Sequence, residues 1–248
     1  MMVAIDTSTL TASVAVLSDG KVLAERDGKS LTHSSDLMTL LREALGSAEI
    51  VPGDLRVVAV GLGPGTFTGL RIGLATAKGL AFALGIPLVG GSSLAALAMG
   101  AVRLQPDLGG RLILPVLDAR REEVYAGFYQ LQEGRMVAVA PECVVAPEQV
   151  LQSLQVLQSL APGSAPVLCG DALAKYEARL PRQGCEWALG VRMTPSAVDV
   201  GLVARGNALA GGFVDTVDIA APIYVRPPEA EVKYPDGVPG ALPKRDSV

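Results

Sequence analysis

The residues able to do chemistry lie in four short segments. They are Asp6-Thr7-Ser8-Thr9, His33-Ser34-Ser35, the run Gly63-Pro64-Gly65-Thr66-Phe67-Thr68-Gly69-Leu70-Arg71-Ile72-Gly73, and Asp118-Ala119-Arg120-Arg121. An aspartate followed by small hydroxylated residues suits cation ligation or a close approach to phosphate. A glycine-proline turn opening a helix suits anion binding, because the first turn exposes unpaired amides. The spacing, however, fits neither the P-loop, which needs Gly-Lys-Ser/Thr, nor the dinucleotide fingerprint, since Thr68 stands three beyond Gly65. His33 is the sole histidine, so a metal site with two imidazoles cannot come from this polypeptide, and no H-E-x-x-H occurs. As a residue at a loop–helix boundary it reads as surface or capping. Ser8 and Ser35 lack the G-x-S-x-G elbow of a nucleophilic serine. Cys143, Cys169 and Cys185 form no C-x-x-C pair. Metallopeptidase and serine-hydrolase chemistry are therefore without visible machinery.

The elements that must position these residues follow from periodicity and turn signals. Strands are expected at Met2–Ile5, Ser13–Leu17 and Lys21–Arg26, with Asp19-Gly20 as a hairpin turn. A helix over 34–48 follows, with Leu37, Met38, Leu41, Ala44 and Leu45 on one face. Val57–Val60 is a strand leading into the glycine-proline turn, where Thr66 or Thr68 is expected to cap a helix ending near Leu84. Along that helix Gly69, Gly73, Ala77 and Ala81 recur every four residues, a smooth stripe that lets another backbone approach closely. Spacing alone leaves open whether the stripe packs internally or against a partner chain. Next come a strand over 86–89 and a helix from Ser92.

The second half repeats the order. Strands at Leu112–Leu117, Val124–Gln130 and Arg135–Val139 carry Asp118 after the first and Glu133-Gly134 as the turn between the last two. Helical patterns cover 147–160, 172–180 and 196–211, with a short strand at 167–169. Two copies of a β-β-β-α-β-α unit are the economical explanation. Domain limits are expected at 1–102 and 103–226, with the carboxy-terminal helix of the second lobe able to pack back on the first, and a loose proline-rich tail over 227–248.

Composition bounds the partners. The 248 residues carry a net charge of −4 and are half hydrophobic, enough for a large core. Aromatics are only 4%, and an acidic, aromatic-poor chain lacks the footprint of a protein that grips nucleic acid alone. Residues 79–102 carry no charge and are long enough to span a bilayer, but Gly85, Pro87, Gly90 and Gly91 break them where a helix–strand–helix passage turns. With no signal peptide at the start, the cytoplasm is the expected compartment.

A duplicated three-strand meander with an aspartate closing each first strand resembles the actin-like, ribonuclease-H-like fold of the sugar-kinase and Hsp70 ATPase (ASKHA) superfamily. With the glycine-rich segment, Ile5-Asp6-Thr7-Ser8, His33-Ser34, Asp118–Tyr125 and Pro222-Ile223-Tyr224-Val225-Arg226, the chain is identified as resembling the TsaB family over about residues 1–226. The resemblance implies a non-catalytic partner of a TsaD-type transferase, joined by a TsaE-type ATPase. That complex places a threonylcarbamoyl group on adenosine in the tRNA anticodon loop. The partner surface it implies is the helix from Ser34 and the helix from Gly69, hence Leu37, Met38, Leu41, Gly69, Leu70, Gly73, Ala77 and Ala81. Bulk at Gly73 or Ala77 should block it. The same stripe would allow a homodimer when the partner is absent. In the superfamily the hairpin after each such aspartate approaches phosphates, and bulky Arg120 and Arg121 depart from that pattern. No catalytic, cofactor or metal residue is therefore expected in this chain. The alternative is an ATP-binding small-molecule kinase of the same fold. For it, Leu88–Ser92 looks like an adenosine-binding turn but lies in the first lobe, while Cys169–Ala172 is in the better place, has only one glycine, and reads ordinarily as a strand-to-helix turn.

Overall fold

Alternation along the first strand decides the architecture of the first half. In the computed structural model, which describes residues 1–29, 34–151, 165–210, 221–223 and 225, β1 spans Met2–Asp6. It points Val3 and Ile5 to one face and Ala4 to the other, as a period of two requires. β2 (Thr11–Ser18) and β3 (Lys21–Lys29) continue an antiparallel meander through the Asp19-Gly20 turn, whose two residues both take positive φ (49° and 83°). α1 (Ser34–Ser47), β4 (Val57–Gly61), α2 (Phe67–Leu84), β5 (Leu88–Gly91) and α3 (Ser93–Leu104) complete the half. β4 and β5 join in parallel, giving the strand order β3-β2-β1-β4-β5.

The second half repeats that order. β6 (Ile113–Asp118), β7 (Val124–Gln132) and β8 (Arg135–Val145) form the meander, closed by Glu133-Gly134 at φ 50° and 75°. β9 (Val167–Cys169), α4 (Ala172–Lys175), β10 (Glu186–Trp187) and α5 (Ala197–Leu209) follow, and the sheet reads β8-β7-β6-β9-β10. The duplicated α/β, actin-like fold is thus present in both sheets. Several boundaries differ from expectation. Pro147–Gln149 form a 3-10 turn, and residues 152–160 of the expected helix lie outside the described residues, as do His33 and 227–248. α4 is shorter than its pattern, and β10 was not anticipated. Two residues are too few for a periodicity to register.

One helix from each half packs on the sheet of the other. α1 and α2 cover the Val3/Ile5 face of the first sheet, with Leu37, Leu41, Leu74, Ala77 and Ala81 in that core. The opposite face, lined by Ala4, Ala15 and Ala59, is covered by α5 from the second half through Val200 and Ala204. In exchange α3, from the first half, packs on β6, β7 and β8. Alanines on the strands and glycine on α5 permit this closeness: a Cβ at Gly201 would stand 2.8 Å from the Leu17 side chain. The two halves are interleaved through these crossing helices.

Candidate functional site

Asp6 ends β1 at the carboxyl edge of the first sheet. The pairing of Ile5 with Val60 brings it beside Gly61. Its carboxylate is fully buried and accepts from Ser8 N (3.0 Å), Ser8 Oγ (2.7 Å) and Ser93 Oγ (2.8 Å). Ser93 Oγ in turn accepts from Gly63 N at 3.3 Å. Burial raises the pKa of Asp6, and the Ser8 and Ser93 hydrogen bonds only partly offset it. Gly61 is needed there because a Cβ would lie 2.0 Å from Asp6 Oδ2.

The two most suggestive segments of the sequence prove to be each other's packing partners. Thr66 N donates to Ser8 O (2.7 Å) and Thr7 Oγ1 donates to Gly69 O (2.7 Å). A Cβ at Gly65, Gly69 or Gly73 would approach Ser8 O, Thr7 O or Thr7 Oγ1 to 2.2, 2.0 and 2.2 Å respectively. Gly65, Gly69 and Gly73 leave the room in which the Asp-Thr-Ser turn lies against the start of α2. Thr7 and Ser8 are buried as a result. Thr66 is the residue before the helix, as expected, but its side chain makes no capping bond. Its backbone amide is held by Ser8 instead.

Asp118, at the corresponding end of β6, is dressed differently. Lys175 Nζ lies 2.6 Å from its Oδ2, and Tyr176 Oη (2.9 Å) and Arg120 N (2.9 Å) donate to Oδ1. Burial pushes its pKa up, but the Lys175 and Tyr176 hydrogen bonds outweigh this and the net shift is downward. Arg120, Arg121 and Glu122 are consecutive non-glycine residues with φ of 62°, 51° and 63°. The loop is thus closed by a cation-held carboxylate, with bulky side chains where a phosphate-approaching hairpin would need small ones. Lys175 and Tyr176 were not anticipated; nothing at 57 or 58 residues' separation signals such a pairing. Gly90 and Gly91 are the last residues of β5, and the strand leads into α3, capped by Ser92 Oγ, which accepts from Ala95 N at 3.1 Å. Ser92 and Tyr129 both donate to Glu142, whose pKa burial raises. Among the described residues no cluster of three His, Cys, Asp or Glu side chains could hold a metal, and no helix is long and apolar enough to cross a membrane.

The expected partner surface divides. Leu37, Leu41, Leu70, Gly73, Ala77 and Ala81 are buried in the chain's own core, and Gly69 is half-buried beneath Thr7. The small-residue stripe therefore serves internal packing, and a large side chain at Gly73 would unsettle the fold before it reported on any partner. Of the eight, Met38 alone is exposed, at 53%. α2 also exposes Phe67 (45%) and Phe82 (80%), which spacing did not single out. Arg71 stacks over Phe67 at 3.8 Å.

Three comparisons bear on this arrangement. A family model described as TsaD, tRNA N6-adenosine threonylcarbamoyltransferase, matches residues 28–186. The chain is 38% identical over 142 residues to the tRNA threonylcarbamoyladenosine biosynthesis protein TsaB of Bacillus subtilis, covering 57% of this chain and 60% of that protein. It is 37% identical over 132 residues to the Escherichia coli protein of the same name, covering 53% and 56%. These alignments thus span little more than half the length of the curated relatives. A Pseudomonas aeruginosa crystal structure, described as an uncharacterized protein with similarity to peptidase YEAZ, superposes with a TM-score of 0.77 at 32% identity, covering 91% of this chain and 99% of that one. A second structure, YeaZ from the same organism, gives 0.76 at 32% identity over 90% and 98%.

Proposed function

The chain belongs to the TsaB family, and from that premise we propose that it is a non-catalytic partner subunit in threonylcarbamoyladenosine formation on tRNA. It pairs with a TsaD-type transferase, a TsaE-type ATPase acts alongside the pair, and tRNA is reached only through the complex. The observation that carries this reading is the exposure of Met38 on α1 and of Phe67 and Phe82 on α2, helices whose inner sides are packed into the chain's own core. Exposed aromatic and methionine side chains are the residues enriched in interface centres. Docking there would hold the transferase in a competent arrangement without contributing reacting groups. The chain's own candidates for chemistry support that division of labour. Asp6 is consumed by Ser8 and Ser93, and Asp118 by Lys175 and Tyr176. The kinase alternative loses its second phosphate loop to Arg120 and Arg121.

Titration of the chain against a TsaD-type transferase tests the interface. Phe82→Asp and Met38→Asp should each weaken association by about thirtyfold, the size of a hot-spot loss of ~2 kcal/mol, while leaving thermal stability unchanged. Native affinity in both variants would place the partner surface elsewhere.

A further inference from the structure

We propose that a cavity between the carboxyl ends of α3 and α5 and the β7–β8 turn binds a small organic anion, an apolar body with a carboxylate or phosphate head. The cavity measures about 750 Å³, within the range of small-molecule sites. Met99, Val102, Leu131, Leu202 and Leu209 supply apolar walls, and Arg103, Arg135 and Arg205 the charge, against one carboxylate, Glu133. The three guanidiniums are not equivalent. Arg103 is held by Asp199 at 2.8 and 3.3 Å and is satisfied. Among the described residues, Arg135 and Arg205 have neither an ion-pair nor a hydrogen-bond partner.

Arg135 is partly buried and Arg205 is exposed at the rim, and since neither has a partner among the described residues, both have hydrogen-bond donors to offer. An anionic head satisfies both while its body displaces water from the walls. The delivery of Arg135 is built into the fold. Its aliphatic stem lies across α5 at Gly206, where an added Cβ would stand 3.3 Å from Arg135 Cγ. The walls come from both halves, so an occupant touches the interleaved helices and the β7–β8 turn together. The cavity is remote from the Asp6 corner. Ser93, which holds Asp6, opens α3, and the 12 residues of that helix put its other end about 18 Å away. The inference does not depend on the partner role proposed above.

The test uses 8-anilinonaphthalene-1-sulfonate, whose fluorescence reports entry of an anionic, apolar-bodied probe, on the full chain. Saturable binding is expected. Arg135→Gln and Arg205→Gln should each weaken it about tenfold, and the double variant should abolish it, with circular dichroism and melting midpoints unchanged. N-phenyl-1-naphthylamine, the same body without the sulfonate, should show no such dependence. Displacement by octanoate against octyl phosphate then tells a carboxylate site from a phosphate site. Arg56 lines a smaller cavity of about 460 Å³ that also includes Arg205 and Leu209, so Arg56→Gln should have no effect. Absence of saturable binding, indifference to both Arg135→Gln and Arg205→Gln, or a loss on Arg56→Gln equal to that on Arg135→Gln would overturn the assignment.

Discussion

Asp6 and Asp118 occupy the same place in two copies of one topology, yet their surroundings drive them in opposite directions. Asp6 is sealed among hydroxyls and an amide, with no cation bonded to it among the described residues and only the more remote charge of Arg192 acting on it, and burial raises its pKa. Asp118 is half-buried, held by Lys175, Tyr176 and the Arg120 amide, and its net shift is downward. The first corner is closed by neutral packing, with glycines cut to fit. The second is closed by charge and a left-handed loop. Neither leaves its carboxylate free, and they reach that state by different physics. An inherited fold position does not dictate an inherited chemistry; the neighbours do.

The contrast can be broken at three points. The largest effect is expected at Gly61→Ala, whose Cβ would fall 2.0 Å from Asp6 Oδ2 and 2.9 Å from Ser93 Oγ. A loss of ~3 kcal/mol, read from the urea midpoint, is expected where overpacking meets a buried hydrogen-bond network. A near-neutral result would mean that the Asp6 corner is loosely built. Next is Asp118→Asn, with a loss near neutral pH of about 1 kcal/mol, discounted because Lys175 is substantially exposed. The sign follows from a depressed carboxylate. Its contribution is present above the unfolded aspartate pKa and vanishes as pH falls through the lower folded value. The deficit of Asp118→Asn should therefore close in strong acid.

Asp6→Asn should be smallest, about 0.5 kcal/mol at acid pH, where the amide stands in for a protonated carboxyl. Its pH dependence should run the other way. A raised carboxylate contributes stability below its unfolded pKa and loses it as pH rises through the folded value. The wild type should then lose ground to Asp6→Asn on that rise. Parallel profiles for the two variants would erase the distinction between the corners.

Much of the fold was legible because it rests on local signals. Asp19-Gly20 and Glu133-Gly134 announced both hairpins, and alternation with turn residues located most strands. Pairings between distant residues were not. The exchange of α3 and α5 between sheets depends on which alanine-lined face lies open, and periodicity carries no information about that. The small-residue stripe of α2 showed that something packs closely on Gly69 and Gly73 but not what; the answer, Thr7, lies more than sixty positions earlier. Spacing left the stripe's partner open and the family resemblance alone implied another chain, whereas the exposed side chains lie on the other faces of these helices. Phe67 and Phe82 are fifteen residues apart and form no pattern alone. The closure of Asp118 by Lys175 and Tyr176 likewise needed β6 and α4 brought together.

The central claim is that this chain enables a transferase without catalysing. It is tested most directly by threonylcarbamoyladenosine formation in a reconstituted reaction with this chain present, absent, or substituted for the TsaD-type transferase. The account predicts product only when the chain and the transferase are both present. Product from this chain without the transferase, or full product without this chain, would contradict it.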